Sequence, residues 1–146
     1  VDMTLERGNA FTPVASATMI WPWTTSVLGG AAGGALFFLL NLGAGALSSG
    51  LTAAVIFFAL IGGVGGVMRQ KADRRGRRYA ATYPFRYAAV PAAVGGAGYA
   101  IVSYATSILA APIAGLFGAL FGGLLVAAAI WVTVGLIAMV VGNKNA

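Results

Sequence analysis

The chain has 146 residues, 60% of them hydrophobic and 8% charged. Soluble domains carry roughly 25% charged residues, so this composition falls far outside that class. Cysteine and histidine are absent, which excludes disulfides, thiol catalysis and thiolate or imidazole metal sites. The net charge of +6 is local: seven of the nine basic residues lie between Arg69 and Arg86. On either side, residues 23–68 and 87–141 contain no Asp, Glu, Lys or Arg.

Residues 1–23 read as a surface or interfacial segment. Asp2 and Glu6 flank Arg7, which does not suit the positive start of a secretory signal. A chain beginning with Val is expected either to have lost an upstream piece or to begin at a non-AUG start. The stretch from Phe11 to Ile20 is apolar, but Pro13 and its Ser/Thr content weaken it as a span. Trp21 and Trp23 are expected to anchor the chain at the headgroup level, because an indole is apolar with one N–H that wants a partner.

Four spans follow, at 24–43, 51–68, 87–110 and 116–141, because a helix satisfies its own backbone in lipid segment by segment. The predicted fold is therefore an all-α integral membrane protein: two transmembrane hairpins, 24–68 and 87–141, joined by a basic loop at 69–86 and followed by a tail at 142–146. The small residues of 44–50 and the Pro112 region supply the hairpin turns. If the glycines fail to break the first block, residues 24–68 form one long bent helix and the molecule is a two-helix hairpin. Both hairpin turns are uncharged. The positive-inside bias therefore places the basic loop and both termini in the cytoplasm, with the spans in the cytoplasmic membrane.

Glycine is the most informative intramembrane residue. Gly29/Gly33 and Gly30/Gly34 form overlapping small-xxx-small pairs on the first span, with Gly62/Gly66 on the second and Gly118/Gly122 on the fourth. Such faces let helix backbones touch, either within one chain or between copies. On the third span, Tyr99, Ser103 and Thr106 or Ser107 form a polar stripe that lines a narrow aqueous path or, as is more usual, bonds a neighbouring helix or its own i−4 carbonyls. Asn41 is expected to tie into the first turn or to bond across helices.

Arg69, Lys71, Arg74, Arg75, Arg77, Arg78 and Arg86 are candidate contacts for anionic lipid headgroups, at roughly 1 kcal/mol per basic residue near a membrane surface. Nucleic acid is the less favoured partner, with Tyr79, Tyr83, Phe85 and Tyr87 available to stack on bases. Asp73 precedes Arg77 by four residues, a helical ion-pair spacing, so the loop is expected to begin as helix. GGVGGVMRQK lacks the spacing of a phosphate loop. With no ionisable group inside the spans, ion-coupled transport and intramembrane catalysis are disfavoured, and no cofactor is expected.

The expected role is non-enzymatic: a self-associating structural or accessory subunit of a membrane-embedded assembly. One alternative is a pore, either holin-like or a small channel. Another is a filament or virion coat subunit, outside the cell, with its basic turn facing a lumen or nucleic acid. The order of apolar helix, basic turn and apolar helix broadly resembles conjugative pilins, whose basic turn faces the lumen. That resemblance is one of pattern and carries no motif.

Overall fold

The computed structural model describes residues 12–43, 45–68 and 74–144, with residues 143 and 144 described by backbone alone, and the regular structure among them is entirely α-helical. The helices are α1 (Pro13–Ile20), α2 (Trp23–Leu40), α3 (Ala46–Met68), α4 (Arg74–Thr82), α5 (Pro84–Ser107) and α6 (Pro112–Lys144). Of these, α2, α3, α5 and α6 are long and apolar enough to cross a membrane. At 1.5 Å per residue, the 18 residues of α2 reach about 27 Å, near the minimum for a span, and the 33 of α6 reach about 50 Å.

Local chemistry sets the boundaries. Thr12 caps α1, its hydroxyl accepting from the Ala15 amide at 3.1 Å, with Pro13 in the first turn, where no amide donor is required. Pro22 then holds Trp21 extended (φ −64, ψ 125), and α1 stops there. α2 ends at Asn41. Its side-chain amide donates to the Phe37 carbonyl at 2.9 Å, and its backbone amide donates to Phe37 and Phe38. Gly43, at φ 121, reverses the chain in a left-handed conformation that favours glycine.

Residues 24–68 are thus two helices rather than one bent helix. The turn between them is shorter than expected, because residues 46–50 already belong to α3. Ser48, Ser49 and Gly50 read as turn residues, but Gly50 lies against Gly34 and Phe38 of α2. Pro112 likewise opens α6 instead of merely ending the preceding segment.

The basic stretch also departs from expectation. Residues 74–82 form a helix and 84–86 are the first turn of α5, so little of the described part is loop. Gly76 and Ala80, four residues apart, give α4 a small buried face, and Pro84 separates it from α5 by holding Tyr83 non-helical.

Of the four long helices, α3, α5 and α6 are in mutual contact and α2 is added on the far side of α3. Among the described helices α2 touches α3 alone; α3 also meets α5 and α6, and the most extensive contact is between α5 and α6. The core gathers toward the basic end, where Ile20, Trp21, Val67, Ala80, Tyr87 and Val134 are buried together. α1 and α4 complete that end by packing on each other and on the inner turns of α5.

Candidate functional site

The basic end is built around Ile20. This side chain is fully buried between two glycines, Gly66 of α3 and Gly76 of α4. A Cβ at Gly76 would lie 2.5 Å from Ile20 Cγ2 and 3.1 Å from the Ser16 carbonyl oxygen, and one at Gly66 would lie 3.0 Å from Ile20 Cγ1. The buried Ser16 hydroxyl donates to the Gly76 carbonyl at 2.8 Å. α4 is therefore seated on α1 at backbone distance, which fixes the face that its arginines present. Arg74, Arg75 and Arg78 are exposed and Arg77 is half-buried.

α5 is tied to the same end. The Tyr87 hydroxyl, fully buried, donates to the Gly63 carbonyl at 2.7 Å, and the Pro91 ring lies over Gly63. The indole N–H of Trp131 on α6 donates to the Phe85 carbonyl at 2.8 Å, and the two rings meet at a tilt of 51° with centroids 4.8 Å apart. Phe85 also covers Gly135. Beyond that level α6 continues past the start of α5 and runs along α4, with Gly142 against Ala81.

Between α4 and these last turns of α6 is a groove of about 230 Å³. Val67, Ala81, Ala138 and Val141 supply apolar walls, and Arg74, Arg77 and Arg78 line it with charge. The chain's three carboxylates are Asp2, Glu6 and Asp73, so the described residues contain none. The chain as a whole carries nine basic residues against three acidic ones, seven of the nine between Arg69 and Arg86, so positive charge is concentrated at this end.

The other candidate lipid contacts are distributed differently. Arg86 lies outside the groove, its guanidinium 4.7 Å above the Tyr83 ring, which in turn packs on Tyr79 at 5.1 Å. Arg75 does not line the groove. Arg69 and Lys71, like Asp73, lie outside the described residues. The rings considered for base stacking are largely engaged elsewhere: Tyr87 is buried, Phe85 is against Trp131, and Tyr79 and Tyr83 pack on each other.

Most of the singled-out glycines make contacts inside the chain. Gly29 lies under Ile61, Gly33 under Phe57, and Gly62 under the Trp21 ring. Gly30 and Gly34 bring α2 onto the α3 backbone, since a Cβ at either would sit 2.9 Å from the carbonyl oxygens of Ala54 and Gly50 respectively. Gly122 is covered by Tyr99. Gly118 differs, with nothing within 4 Å of its Cβ position. Together with exposed Ala114 it leaves a notch on α6 between exposed Phe117 and Phe121.

The closest α5–α6 approach is one residue away from the expected pair. A Cβ at Gly96 would lie 2.7 Å from the Gly123 carbonyl oxygen, and one at Gly123 would lie 2.8 Å from that of Gly96. Gly96/Ala100 and Gly123/Ala127 are small-xxx-small pairs, so admitting alanine to the pattern would have found this crossing.

Trp21 is a correction. Its ring is 5% exposed, packed on Gly62 and 5.4 Å from Phe58, so it belongs to the core and does not present itself to headgroups. Pro22 turns the chain so that alternate rings point inward and outward, and Trp23 is 55% exposed. Two of the four residues in the polar stripe of α5 bond its own backbone: Thr106 donates to Val102 at 3.0 Å and Ser107 to Ser103 at 2.8 Å.

The chain matches no family model, no curated protein and no solved structure.

Proposed function

We propose that this chain is a non-enzymatic structural or accessory subunit of a membrane-embedded assembly, and that copies of it associate along α6. In this reading the spans form two hairpins, α2 with α3 and α5 with α6. The basic end and both termini face the cytoplasm, in keeping with the positive-inside bias. The observation that carries the reading is the uneven use of small residues. Seven of the eight singled-out glycines already meet groups of their own chain, while the Ala114/Gly118 notch is open on an apolar face. A small-xxx-small notch in lipid gains dispersion contact when a second helix enters it, and lipid tails fill such a notch less well. The pore reading draws less support, because Thr106 and Ser107 bond α5 itself and leave few hydroxyls for a lumen.

The natural absence of cysteine allows a direct test. Single variants Gly118→Cys and Gly122→Cys are oxidised in native membranes. The reading expects a disulfide-linked pair from position 118 and none from 122, which Tyr99 covers. Equal yields from the two, or no pair from 118, would remove self-association along this face.

A further inference from the structure

We propose that the groove between α4 and the last turns of α6 is a discrete site for one anionic phospholipid, its phosphate held by Arg74, Arg77 and Arg78. The proposal rests on the membrane placement of the basic end given above, and goes beyond a general attraction between a basic segment and an anionic surface. Three features argue for a built site.

First, the arginines recur at i, i+3 and i+4 on one helix, so they share a face, and that face is fixed by the α1–α4 crossing at Gly76. Guanidinium groups present paired N–H donors that match phosphate oxygens in bidentate fashion. Second, the opposite wall is apolar. Ala138 and Val141 of α6 and Val67 at the end of α3 offer nothing to a hydrated inorganic ion but suit the methylenes of a glycerol backbone. Both α3 and α6 continue from here as spanning helices, so acyl chains leaving the groove would run along them. Third, the size is restrictive. At about 230 Å³ the groove lies below the roughly 300–1,000 Å³ of pockets that enclose drug-sized ligands. It takes a headgroup and leaves the chains in the bilayer.

The test uses the full chain in nanodiscs of phosphatidylcholine doped with phosphatidylglycerol, with retained lipid counted by native mass spectrometry after transfer to detergent. One phosphatidylglycerol per chain is expected, in preference to phosphatidylcholine. Arg74→Gln with Arg78→Gln should weaken retention by about tenfold or more. Arg75→Gln with Arg86→Gln removes the same net charge outside the groove and should leave retention within about twofold. Val141→Phe, which fills the groove at constant charge, should also weaken it. Equal loss from the two double variants would mean diffuse attraction and would overturn the site, as would a Val141→Phe chain that retains lipid normally. Inorganic phosphate serves as the second arm. If it displaces the lipid completely at millimolar concentration, the groove is a soluble-phosphate site and the lipid assignment is wrong. Lipid retention is read chain by chain, so its failure is separable from a failure of the cysteine pairing at Gly118.

Discussion

Ile20 shows how a single side chain organises the basic end. It has no freedom to move aside, because Gly66 and Gly76 close on it from two helices and the Ser16–Gly76 hydrogen bond sets their distance. A methyl group added at Gly76 would therefore meet a neighbour that cannot yield. Overpacking of this kind costs about 1–3 kcal/mol. Gly76→Ala should lose about that much stability in detergent unfolding followed by tryptophan fluorescence. Gly118→Ala, which meets nothing, should stay within about 0.5 kcal/mol of the parent. Equal effects would show that the α1–α4 crossing is not a tight one. None of this was legible from residues alone. Gly76 stands inside RRGRR, where charge dominates any reading, and Ile20 ends a segment whose Ser, Thr and Ala residues give no hydrophobic stripe. The helix α1 is held by small residues at backbone distance, a form of packing that leaves almost no periodic signal.

At the scale of the helices, the charge-free blocks made the four spans readable, since nothing else can fill so long an apolar stretch. Their ends were less readable, because Gly, Ser and Pro act as turn residues in one place and as packing residues in another. Gly50 lies inside α3 for that reason, whereas Pro112 opens α6, where its missing N–H costs little. The groove at the basic end was legible by half. Its arginines are plain in the sequence, but its apolar wall comes from α6, about sixty residues further on, and depends on α6 outrunning α5.

The packing also makes the helices unequal. α2 rests on α3 alone, whereas α5 is gripped by α3, α6 and the basic end. Gly34→Leu, which would drive a side chain into the Gly50 carbonyl, should loosen α2 without disturbing the rest. Gly96→Leu, at the α5–α6 crossing, should loosen most of the molecule. Hydrogen exchange by mass spectrometry distinguishes them: faster exchange confined to residues 23–45 in the first variant, and spread through α5 and α6 in the second. Exchange spreading equally in both would mean that the four helices are one cooperative unit.

The molecule as a whole has a compact basic end and an open apolar body. The core residues lie where α1 and α4 close over α3, α5 and α6, and the four spanning windows are between 17% and 33% buried within the chain. Lipid can cover such a body, and the proposed assembly assigns a second helix to the open position at Gly118. The proposed assembly and the proposed lipid site thus occupy opposite ends of α6, the one at its first turns and the other at its last. Either can be removed by mutation without touching the other.

The most direct measurement is the mass of the native particle after gentle extraction with its surrounding lipid. The account predicts a discrete particle containing several copies of the 14.7 kDa chain, which falls to the single chain on Gly118→Leu. A parent protein that remains one chain in its lipid belt at every concentration would contradict the assembly reading, and the basic groove would then be the molecule's leading functional feature.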